Sequence, residues 1–503
     1  VFSYASFITD RLLGNTKLIS PKEGYALLTF YSIIPPLAAI VGAAVTKRII
    51  PSLVLGLLAG TLLQSSGSPI GAALLAGQAL AGVVADESHA YIILFLFGFG
   101  ALAEMFKVGG GISGFAKMTE PYIKTERDAL LSVLWASPVT FLDCCFHVIA
   151  TGTISKPLVE KVDGSKDKLA LIVNTTSSQL IVLIPFATTY VGYILGVIGS
   201  SMAQVGYTGN PYMVYLSAIP LNFYSISMLG ISILSIFFSF QFSWLKLAQP
   251  AYKPAPVAGD HDSHEAHDEC SYQEKVPPRV ANLLLPLAFL LALITYLFWL
   301  TGQAKGEASF VAALLNADYE KAIFVATFAT LVGTTLLYVL QKIPMKELQS
   351  HFLSGGTEML PPIVILILAW AITGVTQELG FNAFIGGLLG TALPPQLIPV
   401  IVFALGGLAS YFMGSSWGTW ALVMPLALSL AVTTGANVPL TVGAVLAGGS
   451  IGDNLSPLGE TPVLTSAVMD IPVTSHVSYV LPYGLVAIGI TTLLYVAVGY
   501  AMP

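Results

Sequence analysis

The chain has 503 residues, of which 55% are apolar, 11% aromatic and only 10% charged. A soluble globular chain is about 25% charged, and the mean hydropathy here is +0.80, so disordered, fibrous, disulfide-scaffold and ordinary soluble proteins are excluded. The net charge of −6 offers no basic surface to nucleic acid, and it is unevenly placed: the last basic residue is Lys346, and the six carboxylates beyond it (Glu347, Glu358, Glu378, Asp453, Glu460 and Asp470) account for the whole excess.

Residues 1–23 are of mixed polarity and read as an N-terminal interfacial segment or a trimmed terminus, with no cleavable signal peptide. Apolar segments follow at 24–46, 49–65, 90–106 and 213–240, then at 280–301, 321–341, 361–379 and 478–500. Each is long enough to cross a bilayer as a helix, which predicts an all-α, polytopic membrane protein. Four further segments, 129–158, 169–199, 397–431 and 440–470, are apolar but interrupted by Gly, Pro, Ser, Thr or Asn. Broken helices are tolerated in a membrane only where they are buried in protein or line a cavity, and matching pairs of them point to a transport site. Adjacent Cys144 and Cys145 lie in one of these segments and read as buried thiols; with Cys270 they imply no disulfide framework.

The breaks pair up as an internal repeat. Phe99–Glu104 reads like Thr373–Glu378, Phe141–Phe146 like Phe412–Trp417, and Ile172–Ser177 like Ile451–Ser456, at offsets of 274, 271 and 279 residues. Loops 107–127 and 156–168 each carry four Lys or Arg, whereas their counterparts 380–396 and 432–439 carry none. Short basic loops stay cytoplasmic, so equivalent loops face opposite sides and the repeats have inverted topology. The predicted organisation is a first membrane repeat at 24–240, a cytoplasmic linker at 241–279 and a second, inverted repeat at 280–503. Tracing the crossings places both termini outside, against the evidence of Arg11, Lys17 and Lys22. Within the linker, Asp260–Cys270 holds three His and one Cys; it reads either as a solvated acidic linker or as a transition-metal site.

Ionisable residues inside a membrane segment are costly and therefore functional candidates. Asp143 and His147 are four apart and would share a helical face, either as a cation and proton relay or as a structural pair that pins two half-helices. Asn174, Thr175, Thr176, Ser177 and Ser178 form a run of side-chain oxygens, matched by Asp453, Asn454, Ser456, Glu460 and Thr461 around Pro457 and Pro462. Prolines lack an N–H and help open a helix, and freed carbonyls with Asp, Asn, Ser and Thr oxygens suit a hard cation such as Na⁺. The alternative role of such hydroxyls is interhelical hydrogen bonding. Ser415, Ser416 and Thr419 lie at the matching break of the preceding segment, where small residues permit close backbone approach. Glu104 and Glu378 end equivalent segments and are expected at the solvated interface, and Glu358 is expected where a helix begins at Pro361-Pro362.

Gly452-Asp453-Asn454-Leu455-Ser456-Pro457-Leu458-Gly459-Glu460-Thr461 resembles the signature of the NhaC-type Na⁺/H⁺ antiporters, usually Gly-Asp-His-Cys-Ser-Pro-Ile-Ser-Asp-Thr. Gly414-Ser415-Ser416-Trp417-Gly418-Thr419-Trp420 resembles their Gly-Thr-Ser-Trp-Gly-Thr-Trp motif, and Phe141-Leu142-Asp143, Gly152-Thr153 and Asp167-Lys168-Leu169-Ala170 resemble their first-half region. The resemblance covers the chain from about Pro35 onward, the linker excepted. It departs at Asn454, Leu455 and Glu460, where the family usually has His, Cys and Asp, and at Asn174 and Cys144, where it commonly has acids. The resemblance implies inverted repeats with re-entrant hairpins and broken helices, scaffold and transport domains moving as an elevator, homodimers, and a place in the cell (inner) membrane.

The function expected is secondary transport, exchanging Na⁺ for H⁺ with no cofactor. Asp453 would be the competing site, with Ser456 and Ser177 as Na⁺ ligands, and Glu460 or Asp143 with His147 would be a second titrating element. The alternative cargo is an organic anion or amino acid coupled to Na⁺ or H⁺, since some relatives exchange malate for lactate. An intramembrane enzyme is disfavoured by the lack of a His-Glu-x-x-His or similar motif.

Overall fold

The computed structural model describes residues 31–238, 277–307, 309–381, 384 and 393–502. The expected segment 1–23 and the His-rich stretch Asp260–Cys270 lie outside the described residues. Among the described residues every regular element is helical.

Helices α1 (Ile34–Thr46) and α2 (Ile49–Gln64) pack against each other across the Lys47-Arg48 turn. Helix α3 (Pro69–Ala85) leaves α2 at 117°. Helix α4 (Glu87–Val108) then crosses the core and is followed by the short α5 (Gly111–Thr119). Helices α6 (Glu126–Thr140) and α7 (Cys144–Lys161) form a hairpin: the Ser132 and Ser155 hydroxyls, one on each arm, meet at 2.9 Å. At about 1.5 Å per residue the α6 arm is roughly 22 Å long, short of the ~30 Å hydrocarbon layer. An arm of that length is too short to cross the layer by itself. Helix α8 (Lys166–Thr175) widens into a π-type turn over Thr176–Leu180 and a 3₁₀ turn over Ile181–Leu183 before α9 (Thr189–Val205) begins.

The segment expected as one span at 213–240 is instead two helices. They are α10 (Pro211–Ala218), extended by a 3₁₀ turn to Leu221, and α11 (Phe223–Phe237), bent by 44°. Pro220 lacks the N–H a continuous helix needs, and Asn222 caps the new helix by accepting from Ser225 N at 3.3 Å.

Helix α12 (Ala281–Ala304) opens the second half, followed by α13 (Phe310–Leu315) and α14 (Tyr319–Leu340). Helices α15 (Met345–Glu358), which is largely polar, and α16 (Leu360–Glu378), which is apolar, meet at Met359. The segment 397–431 is a second hairpin, α17 (Ile398–Met413) and α18 (Ser416–Thr434). Each of its arms is long and apolar enough to cross a membrane. Helix α19 (Val438–Gly449), the four-residue α20 (Gly452–Leu455) and α21 (Glu460–Met469) are the broken segment expected at 440–470. The long α22 (Val473–Ala501) follows. Seven described helices are long and apolar enough to cross a membrane, or up to nine if each bent pair is one span.

Two contacts organise the core. Helix α4 packs tightly on α15, where Gly100 and Gly355 face each other; a Cβ on Gly100 would meet the Gly355 carbonyl oxygen at 2.4 Å, so only glycine permits the approach. Glu104, one turn along, is buried between these helices and paired with Lys107 and His351, the latter at 3.3 Å. It is not solvated as expected, because both partners come from the packed interface itself. Glu378 does sit at the surface, accepting from Gln64 Nε2 at 2.8 Å. On the other side of the core α9 packs on α18 and α17 on α19, which brings the breaks of the two halves together.

Candidate functional site

Each hairpin tip is built by a side-chain cap. Asp143 leaves the helical conformation (φ −146°, ψ 148°), and its Oδ1 accepts from the Cys145 and Phe146 amides at 2.9 and 3.1 Å. Asn, Asp, Ser and Thr suit this position because their oxygens satisfy free amides at a helix start. Asp143 Oδ2 accepts from the Thr189 hydroxyl at 3.0 Å, tying the tip to α9. In the second hairpin Ser415 caps α18 by accepting from Gly418 N, and Thr419 donates back to the Ser415 carbonyl at 2.8 Å. Gly414 before it has φ +66°, and a Cβ there would meet the Leu458 carbonyl at 2.6 Å. This tip is thereby pressed against the unwound stretch between α20 and α21.

Both tips border one cavity of about 430 Å³. Its wall includes Asp143, Cys144 and Cys145 from the first tip, Ser415 and Trp417 from the second, Glu460 from the start of α21, Glu358 from the end of α15, and Arg48 from the α1–α2 turn. Glu460 Oε1 accepts from the Cys145 thiol at 3.2 Å. Three carboxylates and one guanidinium thus share a single cavity.

Asp453 lies immediately behind that wall, 4% exposed. Its Oδ1 accepts from Ser416 N at 3.1 Å and its Oδ2 from the Tyr190 hydroxyl at 3.2 Å. Tyr190 is held edge-on by Trp417 and Trp420, with ring centroids 4.9 and 5.1 Å away. The Ser416 hydroxyl is buried and makes no hydrogen bond. Among the described residues Asp453 makes no ion pair.

A second polar cluster is fully buried. Asn174 Nδ2 reaches His476 Nε2 at 2.8 Å and the Asn454 carbonyl at 3.3 Å, and Asn454 Oδ1 accepts from the Tyr224 hydroxyl at 3.2 Å. Ser177 and Ser178 both donate to the Asn174 carbonyl, at 2.8 and 3.0 Å, where the π-type turn frees it. Asn174 Oδ1, Asn454 Nδ2 and His476 Nδ1 have no hydrogen-bond partner in the protein. Buried polar atoms are rarely left so. Thr175 accepts from the Ser232 hydroxyl at 3.0 Å, Ser456 Oγ accepts from Leu458 N at 3.2 Å, and Thr461 is buried at the start of α21.

The expected contact between Asp143 and His147 does not form. Asp143 is the cap, so its carboxylate turns toward the helix start and away from the i+4 side chain. His147, fully buried, bridges Thr140 Oγ1 at 2.8 Å and Thr176 Oγ1 at 2.9 Å. It joins the first hairpin to the π-type turn. Ser177 likewise bonds within its own turn, whereas Asp453 bonds to Tyr190 and Ser416.

Tyr190, Tyr224, His476, Thr189 and Arg48 were not among the sequence candidates. A lone aromatic in an apolar helix carries no pattern that marks it as a donor, and His476 lies 302 residues from Asn174. Arg48 did have a signal: it stands with Lys47 in a two-residue turn between apolar helices.

Residues 180–500 match the model of the Na⁺/H⁺ antiporter family. An uncharacterized protein of Haemophilus influenzae is 29% identical over 93% of this chain and 91% of its own length. The malate-2H⁺/Na⁺-lactate antiporter of Bacillus subtilis is 28% identical, over 37% of this chain and 39% of its own length. Among solved structures, Neisseria gonorrhoeae MtrF, described with a class of antimetabolite efflux pumps, superposes with a TM-score of 0.57 at 14% identity, covering 88% of this chain and 86% of that one. At that identity the likeness is one of fold. With its spanning helices and the family match over most of its length, this multi-pass membrane transporter belongs to the Na⁺/H⁺ antiporter family.

Proposed function

We propose that the chain exchanges Na⁺ for H⁺ across the cell membrane, with the two ions competing for Asp453. One observation carries this reading: a buried carboxylate whose oxygens meet only neutral donors, Ser416 N and Tyr190 Oη. A buried charge without an opposite partner is costly, and in a membrane such residues mark ion pathways. A bound proton or a bound Na⁺ relieves that cost, and the two exclude each other at one group. The unbonded Ser416 hydroxyl and the backbone oxygens of the 450–459 break supply the hard oxygens Na⁺ prefers. Asp143 and Glu460 in the cavity act as the second titrating element.

Arg48, of the basic Lys47-Arg48 turn, lines the cavity, and by the loop-charge rule this turn belongs to the cytoplasmic side. The two hairpins and the two broken segments correspond as members of inverted repeats, 24–240 and 280–503. The deciding experiment is proteoliposome exchange, in which Asp453→Asn should abolish Na⁺-dependent pH change; exchange at the wild-type rate would remove Asp453 from the mechanism.

A second reading has its own support. Arg48 lines the cavity, and a guanidinium suits a carboxylate substrate; one relative is a malate-2H⁺/Na⁺-lactate antiporter. In this reading an organic anion enters the same cavity with Na⁺ or H⁺ as the coupling ion. Uptake of labelled malate or lactate by wild type but not by Arg48→Gln would favour it over simple cation exchange.

A further inference from the structure

The cavity holds two thiols, those of Cys144 and Cys145, to which the proposed Na⁺/H⁺ exchange gives no part. Asp143, Cys144 and Cys145 each offer one ligand atom, and these atoms lie within 4.8 Å of one another. The Glu460 carboxylate lies 3.2 Å from Cys145 Sγ and reaches the group from the other half of the chain. All four side chains border the same 430 Å³ cavity, so an ion has a path to them. The hairpin cap uses the Cys145 and Phe146 amides, so neither sulfur takes part in it.

Hard Na⁺ gains little from sulfur, whereas thiolates select Zn²⁺ and its soft neighbours. The spacing agrees with that preference. Cys144 Sγ and Cys145 Sγ are 3.9 Å apart; the edge of a tetrahedron with Zn–S bonds of ~2.3 Å is about 3.8 Å. Two sulfurs and the Asp143 carboxylate supply three ligand atoms, and Glu460, which touches Cys145, supplies the fourth once it swings in toward the other three.

We propose that Cys144, Cys145, Asp143 and Glu460 form a binding site for a thiophilic divalent cation, Zn²⁺ being the one whose size and geometry fit. Binding exchanges the two thiol protons for the metal, so two H⁺ are released per ion. The bound ion links the first hairpin tip to α21, and it blocks any movement of one against the other. The site stands on its own geometry and does not depend on which ion or substrate the protein carries.

The test uses Cd²⁺ as the probe on the full chain in detergent, in a Cys270→Ser background so that only Cys144 and Cys145 can give a thiolate signal. The expected result is an ultraviolet thiolate-to-Cd²⁺ charge-transfer band that saturates at one equivalent and is competed away by Zn²⁺. Glu460→Gln should weaken binding by at least about 10–100-fold, the range seen when even an outer partner of a metal is removed. The Cys144→Ser/Cys145→Ser variant should lose the band while eluting as the same folded species. An absent band, or one indifferent to Glu460→Gln, would overturn the site. Because binding is read without transport, loss of Na⁺/H⁺ exchange in any variant cannot be mistaken for loss of the metal site. In proteoliposomes Zn²⁺ should stop whatever exchange the wild type shows, reversibly with a chelator; full activity with the metal bound would overturn the block.

Discussion

Glu104 and Asp453 are both buried carboxylates, at 5% and 4% exposure, and the protein treats them in opposite ways. Glu104 is matched by the Lys107 ammonium and the His351 ring inside the α4–α15 interface. Asp453 receives one amide and one phenol, and no cation. A paired buried charge fixes two helices against each other, whereas an unpaired one leaves its demand for positive charge open to something that comes and goes. It is this difference in partners, not burial, that singles out Asp453 as the proposed ion site.

The sharpest way to break this comparison is to neutralise each member. Asp453→Asn should reduce Na⁺-coupled proton movement to the background of empty liposomes, with melting and elution near those of wild type. The reverse pattern, early melting with exchange retained, would make Asp453 structural. Glu104→Ala strands a buried ammonium, and losing one partner of a buried pair costs about 3–5 kcal/mol. That should appear as a clear drop in unfolding midpoint with little change in exchange per folded molecule. Replacing Glu104 and Lys107 together by Met should recover most of the loss, because two matched apolar groups replace two matched charges.

A smaller effect is expected from Tyr190→Phe, which removes one of the two donors to Asp453 and keeps the ring between Trp417 and Trp420. A hydrogen bond to a charged group contributes about 1.5–3 kcal/mol, so the half-saturating Na⁺ concentration in an exchange assay should rise about ten-fold or more. An unchanged value would show that the phenol does not matter to ion binding. The smallest effect belongs to an exposed pair, Lys156 with Asp470. The Lys156 ammonium beside Asp470 holds its carboxyl below the usual carboxylate range. Whatever the pair contributes is present at neutral pH and fades as pH falls through that lowered value. Exposed ion pairs contribute little, so Asp470→Asn should leave the melting curve unchanged.

The four broken segments, 129–158, 169–199, 397–431 and 440–470, were legible because each break is written locally, as a cap residue, a proline or a glycine. The class of the protein was legible for the same reason: hydropathy is a local sum. What could not be read was pairing at a distance. Glu104 looks like a residue at a helix end until Lys107 and His351 close over it, and Tyr190 looks like any core aromatic until α9 packs on α18. The Asp143–His147 pairing failed for a subtler reason. Spacing of four implies contact only if both residues are helical, and Asp143 is the residue at which the helix has not yet begun. Pro220 and Asn222 were likewise visible as a break in 213–240, but the apolar run around them outweighed the signal.

The bond from Ser416 N to Asp453 Oδ1 is also a clasp. It fastens the tip of the second hairpin to the unwound stretch that bears the carboxylate, with Gly414 seated on Leu458 beside it. The grip of that clasp depends on the charge of its acceptor, since a hydrogen bond to an ionised oxygen is roughly twice as strong as one to a neutral oxygen. With Asp453 as the proposed ion site, its occupancy and the hold on the hairpin would be one variable, and no separate relay would be required to make the chain's posture follow its cargo.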